Sequence, residues 1–119
     1  MPSDQLPCFI YSKDLMFSSQ ANSAAKAAGF DAKTVLDAGQ IEQSSTHFVV
    51  IDLTIPNLDI ASISTQLQHS NATLIAVGPH VHEGKLALAK ESGCDVVLTK
   101  GQASRELGAV LQKLAAKTD

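Results

Sequence analysis

Residues Phe48-Val49-Val50-Ile51 form an unbroken apolar run, rich in β-branched side chains, that ends on the carboxylate of Asp52. A strand with one wet face alternates apolar and polar residues. A continuously apolar strand is instead expected where both faces of a sheet are covered. That arrangement needs parallel neighbours and helices on either side, so the rest of the chain should alternate strands with helices.

It does. Cys8-Phe9-Ile10-Tyr11 reads as a first strand, Thr34-Val35-Leu36 as a weaker second, Leu74-Ile75-Ala76-Val77 as a fourth and Val96-Val97-Leu98 as a fifth. Between them, Leu15 to Ala28 is an Ala-rich helical stretch closed by Gly29, and Gln40 to Ser44 is a short second helix. Leu58 to Gln68 carries Leu58, Ile60, Ile63 and Leu67 at roughly helical spacing, and Glu83 to Ser92 is closed by Gly93. Glycine just past a helix end supplies the left-handed residue that stops it. The last helix is expected from about Ser104, a suitable N-cap, with Leu107, Val110, Leu111 and Leu114 as its apolar stripe and Gln112, Lys113 and Lys117 outside. Five βα units with right-handed crossovers predict a doubly wound α/β fold, a flavodoxin-like (βα)5 parallel sheet of order 2-1-3-4-5. The expected domain is single, 1–119 with a core of about 7–117, and no output domain is expected beyond the fifth helix.

Composition narrows the partners. The net charge of −3 arises from 12 acids against 9 Lys plus Arg, scattered without runs, so neither a nucleic-acid footprint nor a polybasic membrane patch is present. Aromatic residues make up only 4% of the 119, too few to stack bases or sandwich a flavin. Cys8 and Cys94 are two isolated cysteines, read as reduced, buried thiols. No apolar run approaches the ~20 residues that span a bilayer, and Met1 to Pro7 lacks the basic start and apolar core of a signal peptide. A cytoplasmic protein is expected.

In such sheets function sits outside the carboxyl ends of the strands, near the point where strand order reverses. The residues leaving those ends are Ser12, Lys13 and Asp14, then Asp52 to Pro56, Gly78 to His82, and Lys100 with Gly101. Asp52 is an acid at the tip of the most apolar strand, which calls for hydrogen bonds or a cation. Lys100 is the candidate cation.

Two blocks carry a resemblance to the receiver domains of two-component response regulators, the CheY type. One is Phe48-Val49-Val50-Ile51-Asp52-Leu53-Thr54-Ile55-Pro56, an apolar strand followed by Asp-x-x-x-Pro. The other runs from Ala87 to Lys100 and, from Gly93 onward, keeps the spacing of Gly-Ala-x-x-x-Leu-x-Lys with Cys94 in place of Ala. The resemblance spans essentially the whole chain. It implies that Asp52 holds the phosphoacceptor position and Lys100 that of the lysine contacting the acyl phosphate.

The other positions depart from the pattern. Ser12 and Lys13 stand where the family carries its acidic pair, Gly78 replaces the Thr or Ser after strand four, Val97 the switch aromatic, and Gly101 the following Pro. Mg²⁺ takes oxygen ligands in near-octahedral geometry, including one or two carboxylates. Asp52 is the one carboxylate at a matched position, and Asp14 lies one place too far along. No metal or other cofactor is therefore expected; Mg²⁺ on Asp52 is what the resemblance would otherwise bring, with Asp14 as a further ligand only if its loop deviates. The expected state is a degenerate receiver, or pseudo-receiver, in which Lys13 either joins Lys100 in pairing with Asp52 or extends into solvent, two readings of equal weight. Thr54 lies where the family uses a backbone carbonyl, so its side chain is expected to matter little.

Outside these positions, His80 and His82 in Gly78-Pro79-His80-Val81-His82-Glu83-Gly84 form the most unusual stretch, with metal, anion or partner binding weighed against plain solvation. His47 and His69 lie on other segments. The small residues Ser18, Ser19, Asn22-Ser23 and Ala24-Ala25 are read as close packing of the first helix on the sheet. No G-x-G-x-x-G fingerprint or P-loop is present. The reading is thus a non-enzymatic module of bacterial signalling or phosphorelay, touching a histidine kinase, an effector or a second copy of itself through the fourth helix, fifth strand and fifth helix. The alternatives are a working phosphoacceptor regulator using Asp52, and a small-ligand or cofactor-binding protein on the same fold.

Overall fold

The computed structural model describes residues 6–41, 47–68 and 72–117. Its strands are β1 (Pro7–Tyr11), β2 (Asp31–Val35), β3 (His47–Asp52), β4 (Ala72–Gly78) and β5 (Val96–Thr99). Its helices are α1 (Leu15–Ala27), α2 (Ile60–Gln68), α3 (Glu83–Glu91) and α4 (Lys100–Lys117). All pairings are parallel and the order is β2-β1-β3-β4-β5, as the alternating pattern predicts.

The period-two geometry of β3 divides the core. Phe48 and Val50 join Cys8, Ile10, Ile75 and Val77 under α1 and α4. Val49 and Ile51 join Phe9, Tyr11, Leu74 and Ala76 under α2 and α3. Every residue of β3 is buried, which is why its sequence carries no alternation. On α4, Leu107 and Leu111 are buried and Val110 and Leu114 half-buried, while Gln112 and Lys113 face out. The close packing expected of the small residues on α1 holds at Ser18 and Ala25, which are buried, and in part at Asn22 and Ala24, but Ser19 and Ser23 lie on the exposed side of the helix. Added bulk at Gly108 of α4 would meet the Ala24 carbonyl oxygen at 3.4 Å.

Both glycine stops behave as predicted. Gly29 and Gly93 have φ of 97° and 98°. In each case the next residue's N–H reaches back five positions, from Phe30 to Ala25 and from Cys94 to Ala89, closing a Schellman turn.

Two expectations require correction. The last helix begins at Lys100, four residues before Ser104, because Thr99 caps it: the Gln102 N–H donates to Thr99 Oγ1 at 3.1 Å, and the Thr99 N–H donates to Gln102 Oε1 at 2.9 Å. This Thr-x-x-Gln capping box joins β5 directly to α4. The short second helix is, among the described residues, a single 3-10 turn at Ala38–Gln40; residues 42–46, and with them Ser44, lie outside the described residues, as does His69. The fourth and fifth helical segments of the sequence are thus α3 and α4.

Candidate functional site

The register sets the site. Asp52 pairs with Val77 and Gly78 with Thr99, so the ends of β3, β4 and β5 are level, with the end of β1 on the other side of β3. Ser12, Asp14, Asp52 and Lys100 converge there.

Asp52 is held by the chain's own donors. Ser12 Oγ donates to Oδ2 at 2.6 Å, the Thr54 N–H donates to Oδ1 at 2.9 Å, and Thr54 Oγ1 donates to the same oxygen at 2.7 Å. The Asp52 side chain is only 1% exposed. Ser12, itself buried, accepts from the Asp14 N–H at 3.0 Å. A charge taken out of water needs such compensation, and three donors supply it.

Lys100 extends from the first turn of α4 toward both acids. Its Nζ is 3.3 Å from Asp14 Oδ2 and 3.9 Å from Asp52 Oδ1, and it lies 4.9 Å from the centroid of the Phe17 ring. Asp14 is the N-cap of α1, its Oδ1 accepting from the N–H groups of Met16 and Phe17. The Phe17 N–H, with the Lys100 ammonium, holds the Asp14 carboxyl below its ordinary value against the opposing cost of lost hydration.

The structure corrects several assignments. Lys13 does not pair with Asp52: it is exposed and makes no ion pair among the described residues. Ser12 takes the inward position after β1, and the alternation at the strand end turns Lys13 outward. Thr54, expected to matter little, makes two of the three hydrogen bonds to Asp52. The signal for it lay in the two-residue offset, since a side chain or N–H two residues past an Asp commonly turns back onto its carboxylate. Phe17 was likewise missed as a neighbour of Lys100.

Gly78 is buried in packing. A Cβ there would lie 3.2 Å from both Leu53 Cβ and Leu53 Cδ1, and 3.5 Å from Leu86 Cδ2. The space where a Thr or Ser side chain would begin is filled by leucine. Val97 is half-buried in the α2–α3 side of the core, and Gly101 lies in the first turn of α4.

The donor set does not fit Mg²⁺. Both oxygens of Asp52 are engaged by neutral donors with an ammonium nearby, and both oxygens of Asp14 serve the α1 cap and Lys100. Neither Ser12 nor Lys13 brings a second carboxylate. Among the described residues no group of three or more His, Cys, Asp or Glu side chains converges. His80 and His82 are exposed in the turn before α3, and His82 caps the helix with no side-chain hydrogen bond. His47 is buried in β3, edge-on to Phe9 at 5.8 Å between ring centroids. Cys8 and Cys94 are free and buried, and burial pushes their thiols up to about 12 and about 11.

No protein-family model and no curated protein matches this chain. Solved structures do. The receiver domain of the TMAO respiratory system response regulator TorR superposes with a TM-score of 0.80 at 16% identity, over 96% of this chain and 99% of that one. The receiver domain of the Francisella response regulator 1452 gives 0.79 at 21% identity, over 97% and 100%. The receiver domain of the sensor histidine kinase PA1611 from Pseudomonas aeruginosa, which holds a magnesium ion in its active-site cleft, gives 0.73 at 16% identity, over 92% and 96%. The chain has the receiver-domain fold.

Proposed function

We propose that this chain is a pseudo-receiver: a non-enzymatic signalling module that acts through protein contacts without Mg²⁺-dependent phosphorylation at Asp52. The observation that carries the reading is the state of Asp52. Its carboxylate is 1% exposed and both of its oxygens are engaged by Ser12 and Thr54, which leaves little of it open to a phosphodonor. Phosphoryl transfer is mainly positioning and charge neutralisation by metal and cations. Among the described residues the only neutralising group here is Lys100, and Asp14 lies closer to it than Asp52 does.

The relay is altered as well. A hydroxyl after β4 would report a phosphoryl group by moving toward it, but Leu53 and Leu86 close over Gly78. No switch aromatic occupies β5, where Val97 stands. The arrangement favours one held conformation over two exchanging ones. Partner contact is assigned to the α3–β5–α4 face, where a cavity of about 290 Å³ is lined by Leu86, Lys90, Val97, Thr99 and Gln102. A histidine kinase, an effector or a second copy of the chain are the partners this face would serve, in a cytoplasmic setting.

One titration separates this reading from a working phosphoacceptor. Mg²⁺ is added to the folded protein, then acetyl phosphate or beryllofluoride, while backbone NMR shifts of residues 52–56 and 78 are followed. Unchanged shifts are expected. A saturable response at Asp52 and its neighbours would overturn the proposal in favour of phosphorylation.

A further inference from the structure

A second groove lies between the loop that follows β3 and α3, and shares no lining residue with the cavity on the α3–β5–α4 face. It has a volume of about 280 Å³ and is lined chiefly by Leu53, Ile55, Pro56, Leu58, Lys85 and Leu88. We infer that it is a docking site for a peptide segment of a partner protein that carries apolar side chains beside a carboxylate. The inference is independent of whether Asp52 is phosphorylated.

The walls are preformed. After β3 the loop folds into consecutive turns, with the Ile55 N–H on the Asp52 carbonyl and the Leu58 N–H on the Ile55 carbonyl. Asn57 holds a φ of 59°, a left-handed value that Asn tolerates better than most residues. The Leu53 N–H donates to the Val77 carbonyl at 2.8 Å, and its side chain rests against Gly78. The inner wall thus has its present shape because residue 78 has no side chain. A loop fixed before binding loses little freedom on docking, which favours affinity.

Chemistry selects the occupant. Leu53 and Ile55 are buried and form an apolar floor, whereas Leu88 at the rim is 49% exposed, one of the few large apolar side chains left in water. Lys85, one helical turn before Leu88, is exposed and makes no ion pair among the described residues, and no acid lines the groove. An apolar floor with an uncompensated cation at its edge is complementary to an apolar residue next to Asp or Glu. Covering Leu88 requires something that lies across the rim as well as filling the floor. An extended or helical peptide does both, whereas a small carboxylate only fills.

The test is selection without a presumed partner. A phage-displayed library of random peptides is panned on the folded full chain, and the enriched sequences are synthesised and mapped by amide NMR shifts. The expected result is enrichment of apolar residues flanked by Asp or Glu, with saturable shifts at Leu53, Ile55, Lys85 and Leu88. Lys85→Glu should then weaken binding by about 3- to 10-fold, as turning one exposed attraction into repulsion does, and Lys85→Arg should preserve it. Enriched peptides without acids, shifts confined to Lys90, Val97, Thr99 and Gln102, or indifference to Lys85→Glu would each overturn the proposal. So would saturation of the same shifts by hexanoate at concentrations where no peptide competes, or by the protein itself through self-association.

Discussion

Replacing Ser12 by Ala asks whether Asp52 is held by the chain's own donors. The hydroxyl donates to Asp52 Oδ2 at 2.6 Å and accepts from the Asp14 N–H at 3.0 Å, in a residue only 1% exposed. A hydrogen bond to a charged group contributes about 1.5–3 kcal/mol, and a buried polar group left without its partner costs about 1–3 kcal/mol. Both terms describe the same lost contact in part, so the expected cost is about 2–4 kcal/mol. With a urea dependence of about 2 kcal/mol per molar, the unfolding midpoint should fall by roughly 1–2 M. The decisive measurement is a double-mutant cycle with Asp52→Ala. Once the carboxylate is gone, Ser12→Ala removes the bond from the Asp14 N–H and the long 3.5 Å one to the Asp14 carbonyl, and should cost about 0.5–1.5 kcal/mol. The coupling should therefore be about 1.5–3 kcal/mol, within the range seen for residues in direct contact. If Ser12→Ala costs as much without Asp52 as with it, the hydroxyl acts by packing and the network does not hold the acid.

Three further outcomes are expected. The folded Asp14 carboxyl titrates below its unfolded value, so it contributes stability above the ordinary carboxylate range that is lost as the pH falls through the depressed folded value; Asp14→Asn keeps the cap and should flatten the acid limb of the stability–pH curve, and an unchanged limb would refute this. Gly78→Ser must displace Leu53 from a 3.2 Å contact and should cost about 1–3 kcal/mol by overpacking, read as a lower thermal midpoint; an unchanged or higher midpoint would show that Leu53 yields freely. The thiols of Cys8 and Cys94, buried and pushed up to about 12 and about 11, should react with a disulfide reagent at pH 8 only as fast as the protein opens, so that urea accelerates modification; fast labelling of the native protein would contradict their burial.

Much of the fold was legible because it rests on local rules. An uninterrupted apolar β3 announced a sheet covered on both faces, and Gly29 and Gly93 marked helix ends through a backbone conformation that other residues resist. The start of α4 was misplaced for a comparable reason. Ser104 is a good cap in isolation, but Thr99 with Gln102 is a reciprocal one five residues earlier, and the chain took the stronger of two local signals.

The sequence by itself determined the alternation of strands and helices, the faces of β3 and the presence of Asp52 and Lys100 at one edge of the sheet, after β3 and β5, since periodicity, crossover handedness and turn chemistry act over a few residues. It did not determine who holds Asp52. Ser12 and Lys13 are neighbours in the chain, and only the packing of β1 against β3 turned the hydroxyl inward and left the ammonium in water. Phe17 and the leucine that fills the space above Gly78 acquired their roles in the same way, whereas Thr54 reaches Asp52 through a local turn two residues on. Contacts among residues 40 or more positions apart depend on which side chains share one closed volume, and that volume exists only once the sheet and its helices are assembled.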